Sequence, residues 1–86
     1  MHRTTARFWT LFHRLPEAVQ AVARKKFELL KTDPSHPSLH FKKVGKLWSV
    51  RVGINHRALA VEQGENFIWV WIGDHDEYGR MVKQQE

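Results

Sequence analysis

The amino-acid sequence predicts a single α+β domain in which two N-terminal helices pack on an antiparallel sheet. Apolar residues recur at helical spacing before residue 33, and from residue 39 onward they alternate with polar residues as strands require. A chain of 86 residues has room for one domain, which we assign to residues 1–86. We therefore expect an N-terminal helical hairpin on a four-stranded antiparallel sheet, with a short C-terminal helical turn.

The two predicted helices follow each other directly. One apolar face of the first helix, which ends before Pro16, consists of Phe8, Leu11, Phe12 and Leu15. Pro16 is favourable at the first position of the second helix, Glu17 complements the positive end of its dipole, and the Asp-Pro pair at 33–34 ends it. The apolar faces of such a hairpin cannot cover each other completely, so they need a sheet to pack against.

Four strands are predicted in the rest of the chain, over residues 39–43, 48–52, 56–61 and 67–72. Gly45, Gly53 and Gly64 fall between them, where turns are expected. The last of the four strands is apolar on both faces. This pattern is typical of a strand inside a sheet or beneath a bound partner.

The charge of the chain indicates an anionic partner. Its net charge of +5 favours binding to a polyanion, because clustered Lys and Arg release counterions when they meet phosphates. The chain has no cysteine and therefore neither disulfide nor thiolate, so we expect a cytoplasmic location. No run of about 18 apolar residues is present, and we predict neither a membrane span nor a signal peptide.

Arg51 and Arg57 lie on consecutive predicted strands, near the turn that joins them. A two-residue loop would place their side chains on opposite faces, whereas a three-residue loop with a bulge at Gly53 would place them side by side, about 5 Å apart. The sequence leaves both registers open. Like charges that face each other destabilise a sheet, so the second register is expected only where an anion binds.

The next hairpin is expected to bring further polar residues to the same edge. A turn around residues 62–65 pairs strand positions whose numbers sum to about 127, which places Val70 or Trp71 beside Arg57. The residues just past the last strand then reach the arginines. The predicted cluster contains Arg51, Arg57, His75, Asp76 and Tyr78.

Such a cluster has the groups that metal-free RNA cleavage requires. Arginine stays charged and can hold two phosphate oxygens, which suits Arg51 and Arg57 to a phosphorane-like transition state. Histidine exchanges protons near neutral pH, as His75 could, and Tyr78 could orient or stack a base. Further RNA contacts are predicted from Lys42, Lys43, Lys46, Trp48 and Asp76.

Each of these residues also has a purely structural interpretation. Arg57 could form an ion pair with Glu62 or Asp74. His75 could cap the turn that follows it, and Tyr78 could cover the edge of the core. The sequence does not decide between these structural roles and the roles in RNA cleavage.

No metal site and no cofactor are predicted. His36 and His40 have the i, i+4 spacing of two metal ligands on a helix, but Pro37 lies between them. The spacing is therefore not evidence for a metal.

Five short segments occur in an order typical of one protein family. They are the helical hairpin, Asp-Pro at 33–34 with Pro-Ser-Leu at 37–39, Leu-Trp-Ser-Val-Arg at 47–51, Asn-His-Arg-Ala-Leu at 55–59, and Trp-Ile-Gly-Asp-His-Asp-Glu-Tyr at 71–78. In this order the chain resembles toxins of the RelE/ParE superfamily, from type II toxin–antitoxin pairs. The resemblance covers nearly the whole chain.

The resemblance implies a toxin that an antitoxin neutralises by wrapping around it. Many members cleave messenger RNA in the ribosomal A site, so mRNA, the ribosome and a cognate antitoxin are the implied partners, with operator DNA bound through the antitoxin. Arg57 matches the family's phosphate-contacting arginine and Arg51 a basic residue on the preceding strand. His75 and Tyr78 match the catalytic histidine or arginine and the tyrosine that follow the last strand.

The chain also departs from the family pattern. The strand that usually precedes the helices is absent or reduced to a few residues near 3–5, and the lysine-rich catalytic strand of some nucleases shows only Ser49 and Arg51. Other branches of the superfamily inhibit DNA gyrase without being enzymes. The leading hypothesis is thus a metal-independent endoribonuclease, and the alternatives are a gyrase inhibitor or an inactive toxin that only binds its antitoxin.

Overall fold

Five strands form one mixed sheet with three helices around it in the computed structural model, which describes residues 1–85. The elements are β1 (His2–Thr4), α1 (Ala6–His13), α2 (Glu17–Thr32), a 3-10 turn (Pro37–Leu39), β2 (Lys42–Val44), β3 (Leu47–Val52), β4 (His56–Gln63), β5 (Asn66–Asp74) and α3 (His75–Gln85). The strand order is β1-β5-β4-β3-β2. β1 runs parallel to β5, and every other neighbouring pair is antiparallel.

The predicted four-stranded antiparallel sheet is wrong, because β1 adds a fifth and parallel strand. β1 is only three residues long and has no apolar alternation to mark it in the sequence. Backbone hydrogen bonds hold it, with Phe67 N donating to Met1 O at 2.8 Å and Thr5 N donating to Trp69 O at 3.2 Å. β5 is therefore an inner strand, as its two apolar faces predict.

The two N-terminal helices are confirmed with small changes at their ends. α1 begins after Thr5, whose hydroxyl accepts a hydrogen bond from Phe8 N at 3.1 Å, and it ends at His13, so Leu15 lies outside it. α2 begins directly after Pro16 and ends before Asp33. α1 packs against β5 and α2 against β3, so the two helices cover different parts of one sheet face.

The short C-terminal helical turn is also a wrong prediction, because α3 is a helix of 11 residues. The Asp74 carboxylate accepts a hydrogen bond from Glu77 N at 2.9 Å and so caps the start of the helix. Tyr78, Met81 and Val82 are half-buried and share one face of α3 by their spacing. The polar character of residues 74–80 hides this narrow apolar stripe in the sequence.

The first segment of the sheet also differs from the prediction. Residues 37–39 form the 3-10 turn, and the following His40 has a left-handed φ of 46°, so β2 begins only at Lys42. The expected strand over 39–43 is therefore shorter and begins three residues later.

Both faces of the sheet are covered. The main core lies between the sheet and α1 and α2, and it contains Phe8, Phe12, Ala23, Leu30, Leu39, Val50, Val52, Ala58, Ala60, Trp69 and Ile72. Leu59 and Trp71 are buried too, but they alternate with core residues along their strands and so point to the other face. α3 contacts β4 and β5 and covers that second face.

A search for membrane spans among the described residues finds no helix with the length and apolar content that a crossing needs.

Candidate functional site

The β3–β4 hairpin places Arg51 directly opposite Arg57. Val52 pairs with His56, so the loop between the strands has three residues, beginning with Gly53 at a φ of +65°. A left-handed residue at this point of a three-residue hairpin favours glycine. Of the two registers that the sequence leaves open, the structure has the one in which the arginines are neighbours on one face.

On its other side, Arg57 pairs with Gly73, and the predicted pairing with Val70 or Trp71 is wrong. Two features shift the register. The β4–β5 turn has only two residues, since Gln63 pairs with Asn66, and a β-bulge lies between Leu59 and Ala60. Neither feature can be located from apolar alternation alone.

Gly73 leaves space that the indole of Trp71 occupies. A Cβ atom added at Gly73 would lie 2.5 Å from Cζ2 of Trp71, which no packed structure tolerates. The indole therefore lies across Gly73, on the sheet face that carries Arg57. The contact between Trp71 and Gly73 is not predicted from the sequence. An isolated glycine at the end of an apolar strand is nevertheless a known sign that another group approaches the backbone closely.

Tyr78, near the start of α3, contacts Arg57, and His75 lies beside Tyr78. The guanidinium carbon of Arg57 lies 5.8 Å from the centre of the Tyr78 ring, a distance compatible with a cation–π contact. The rings of His75 and Tyr78 are 5.9 Å apart. His75 N donates a hydrogen bond to Asn55 O at 2.7 Å, so the beginning of α3 is tied to the β3–β4 loop.

Neither arginine of the cluster has a carboxylate partner within residues 1–85. Between residues 1 and 85 the one ion pair is that of Lys31 with Glu28. Arg57 donates instead to the carbonyl of His56 at 2.9 Å, and Arg51 donates to the carbonyl of Gly53 at 3.1 Å. These bonds orient the two cations without neutralising them.

The surroundings of Arg57 disfavour its positive charge. Burial is the main cause that lowers the pKa of Arg57, the neighbouring Arg51 lowers it further, and Tyr78 acts in the opposite direction. Arginine stays protonated in proteins at neutral pH despite such shifts. The result is a half-buried cation that an anion would stabilise.

Arg57 is not in an ion pair with Glu62 or Asp74, and His75 is not the cap of α3. Glu62 accepts a hydrogen bond from Trp48 Nε1 at 3.1 Å, and Asp74 caps α3, so neither is paired with Arg57. The cap is Asp74 and not His75, whose side chain is exposed. Tyr78 is half-buried, and its ring lies beside His75 and under the guanidinium of Arg57.

Trp48 does not belong to the cluster. It pairs with Ala60, which lies in the main core, so its side chain is on the α1 and α2 face of the sheet. There its ring packs on Phe41 at 4.9 Å and on Phe67 at 5.3 Å. The structure therefore separates Trp48 from Arg57 by the thickness of the sheet.

The three lysines that are predicted to contact RNA do not all lie on the sheet face of the arginines. Lys42 pairs with Ser49 and so shares the face of the arginines, whereas Lys43 pairs with Trp48 and faces the other way. Lys46 lies in the turn between β2 and β3. Asp76 is exposed in the first turn of α3, next to His75.

His36 and His40 are not arranged as a ligand pair. His36 Nδ1 accepts a hydrogen bond from Ser38 N at 3.2 Å and caps the 3-10 turn that separates the two histidines. The described part of the chain has no group of three or more His, Cys, Asp or Glu side chains that could hold a metal ion.

Comparisons with known proteins agree with this fold. The model of the ParE-like toxin domain family matches residues 17–80. Similar solved structures include the RelBE2 toxin–antitoxin complex from Mycobacterium tuberculosis, with a TM-score of 0.64, 19% identity, and coverage of 87% of this chain and 96% of that chain. A copper-bound mutant toxin from Helicobacter pylori is also similar, with a TM-score of 0.58, 17% identity, and coverage of 88% and 94%. No curated protein sequence matches the chain significantly.

Proposed function

Since the chain belongs to the ParE-like toxin domain family, we propose that it is the toxin of a type II toxin–antitoxin pair and cleaves messenger RNA on the ribosome without a metal. One observation carries this proposal. Within residues 1–85, two arginines without carboxylate partners lie side by side, Tyr78 lies against Arg57, and the ring of His75 lies beside Tyr78. A like-charge pair at this position costs folding free energy, and a bound phosphate would offset that cost.

In the proposed reaction, the 2′-oxygen of the RNA forms a bond to phosphorus while the bond to the 5′-oxygen breaks. Arg57 and Arg51 hold the non-bridging oxygens, whose negative charge increases in the transition state. His75 exchanges a proton with the attacking or the leaving oxygen, a task for which an imidazole side chain is suited at neutral pH. Tyr78 orients Arg57 through its ring and stacks on a base.

A cognate antitoxin is the proposed protein partner, and operator DNA would be bound through it. The support is the similarity of fold to a toxin that was solved in complex with its antitoxin. An inactive toxin that retains only this binding would keep the fold without needing the two arginines.

A second candidate function is non-enzymatic inhibition of DNA gyrase. The observation in its favour is that the cluster of Arg51, Arg57, His75 and Tyr78 contains one histidine and no second residue of a type that commonly exchanges protons at neutral pH. RNA cleavage by acid and base catalysis works best with two such groups. A protein that only binds would not need the second.

The test compares Arg57→Gln with the parent in a purified translation system with one defined messenger RNA. We expect the cleavage rate to fall by about 10²–10³-fold, the usual loss on removing one donor to a developing oxyanion. The matched control is Arg7→Gln, which removes the same charge from the exposed side of α1 and should cleave like the parent. Thermal unfolding of both variants checks that they are folded.

The same purified proteins are then assayed for gyrase supercoiling. Transcript ends that cluster within codons, together with normal supercoiling, would support the nuclease and exclude the gyrase inhibitor. Cleavage by Arg57→Gln at the parental rate would refute the role of Arg57. Blocked supercoiling without cleavage would favour the second candidate.

A further inference from the structure

A deep apolar cavity lies on the face of the sheet opposite the arginine pair, between α1, α2 and the strands. Its volume is about 330 Å³, and most of its wall consists of aromatic and aliphatic side chains from both helices and from β3, β4 and β5. The aromatic residues in this wall are Phe8, Trp9, Phe12, Phe27 and Trp69. The volume is within the range of pockets that bind small molecules.

The charged residues that line the cavity are mainly cationic. They are Arg24, Lys26, Lys31 and one acid, Glu28. The guanidinium carbon of Arg24 lies 4.9 Å from the centre of the Phe12 ring, so this side chain reaches from α2 to α1. Lys31 Nζ lies 5.5 Å from the centre of the Phe27 ring. Two cations thus lie over two of the rings that form the wall.

Among residues 1–85, two of these three cations already have a polar partner. Lys31 forms the ion pair with Glu28 at 2.9 Å, and Lys26 donates a hydrogen bond to the hydroxyl of Ser38 at 2.9 Å. Arg24 is exposed and has no ion pair in this part of the chain. Its guanidinium is therefore available to an anionic group at the edge of the cavity.

The size of the cavity limits what can occupy it. An apolar cavity of about 150 Å³ holds benzene, so one of 330 Å³ holds about twelve non-hydrogen atoms. A peptide helix, about 10–12 Å across with its side chains, cannot enter it as a whole. One flexible hydrocarbon chain with a small head group has the required dimensions.

We propose that this cavity binds a single-chain anionic amphiphile, with the hydrocarbon chain among the aromatic side chains and the head group on Arg24. Medium-chain carboxylates have this chemistry. The proposal does not depend on RNA cleavage, because the cavity and the Arg51–Arg57 pair lie on opposite faces of the sheet.

Binding can be measured by calorimetry with decanoate, kept well below the concentration at which it forms micelles. We expect one decanoate per protein chain. Decanol has the same chain without the charge and should bind at least several-fold more weakly. Decylammonium, with the opposite charge, should bind more weakly still, and butyrate should not bind detectably because its chain is too short to fill the cavity.

Two variants locate the site. Arg24→Gln should weaken decanoate about tenfold and leave decanol unchanged, since it removes one charge-assisted hydrogen bond. Its matched control is Lys25→Gln, an exposed cation next to Arg24 that does not line the cavity and should bind decanoate like the parent. Ala23→Leu adds side-chain volume to the cavity wall and should abolish binding of both decanoate and decanol while the protein stays folded.

Several results would overturn the proposal. Equal affinity for decanoate, decanol and decylammonium would mean that the cations do not select the ligand. Equal losses in Arg24→Gln and Lys25→Gln would indicate general surface attraction. Binding of acidic peptides but not of decanoate would assign the cavity to a protein partner. If Ala23→Leu does not fold, the comparison of Arg24→Gln with Lys25→Gln decides the question alone.

Discussion

Arg51 and Arg57 form a like-charge pair that opposes folding at the scale of single residues. The two side chains face each other on adjacent strands, and neither is neutralised by an acid between residues 1 and 85. Cross-strand pairs of like charge destabilise a sheet, and burial of Arg57 adds to the cost. Such a pair is expected where an anionic ligand binds.

Arg51→Gln should therefore make the free protein more stable while it weakens RNA cleavage. We expect the free energy of unfolding to rise by about 0.2–1 kcal/mol, measured by urea denaturation. Lys42→Gln is the matched control, because it removes a cation from the same sheet face without relieving a like-charge pair, and it should change stability by less than about 0.5 kcal/mol. A loss of stability in Arg51→Gln would contradict the strain attributed to the pair.

His2 is a second residue whose protonation matters for folding. Its Nδ1 atom accepts a hydrogen bond from Trp69 Nε1 at 3.0 Å, and its ring stacks on Phe67 at 5.4 Å. Burial is the main cause that lowers the pKa of His2 below 6.5, and the N-terminal ammonium and Lys31 lower it further. The folded protein therefore favours the neutral imidazole, which alone can accept this hydrogen bond.

The stability of the protein should fall as the solution is acidified. The unfolded chain binds a proton at His2 more readily than the folded chain, so the contribution of His2 is complete above pH 6.5 and is lost as the pH falls through its lower folded pKa. Melting temperatures at a series of pH values measure this. In His2→Gln the part of the slope between pH 6.5 and the folded pKa should disappear, whereas His13→Gln, on the exposed side of α1, should retain it.

At the scale of single residues, the sequence predicts which groups meet but not every contact. The grouping of Arg51, Arg57, His75 and Tyr78 follows from strand order and from the position of the last strand's end. Trp48 alternates with Ser49 and Arg51 along β3 and so lies on the face opposite Arg51, and its predicted RNA contact stays a prediction. Sequence spacing also cannot separate Asp74 from His75 as the cap of α3.

At the scale of secondary-structure elements, β5 and α3 each contain a glycine, and the two glycines differ in the space available to a side chain. The backbone at Gly73 lies under the Trp71 indole, and no space remains for a Cβ atom. A Cβ atom at Gly79, in the interior of α3, would have no contact within 4 Å. The first glycine is required by packing, and the second weakens a helix without a visible packing reason.

We expect Gly73→Ala to destabilise the protein by about 1–3 kcal/mol, because the indole or the strand must move. Gly79→Ala should stabilise it by up to about 1 kcal/mol, since alanine is the better helix former. Thermal unfolding of the two variants beside the parent measures both effects. If both changes shift the melting temperature in the same direction, the packing of Trp71 over Gly73 is not as described.

The elements that the sequence predicts well are those with a strong apolar period. α2 is predicted almost to the residue, and β3, β4 and β5 are predicted in order and in their antiparallel pairing. β1 and the full length of α3 are not, because backbone pairing and a single cap specify them more than side-chain pattern does. The β-bulge is equally hidden, and it changes the register beside Arg57.

At the scale of the whole molecule, the sheet separates two chemically different surfaces. One face carries the arginine pair and the start of α3, and the other carries the aromatic cavity with Arg24 at its edge. A net charge of +5 is shared between them, so overall basicity cannot assign the anionic partner to one face. Strand pairing shows only that Arg51 and Arg57 lie together on one of the two faces.

The parallel pairing of β1 with β5 also fixes when the sheet can be completed during synthesis of the chain. His2 pairs with Phe67, so the first strand has no partner until the ribosome has made the last one. Both arginines emerge before Gly73 and Tyr78, which complete their surroundings. A nascent chain that ends before these residues thus carries both charges without the contacts that surround them in the complete fold.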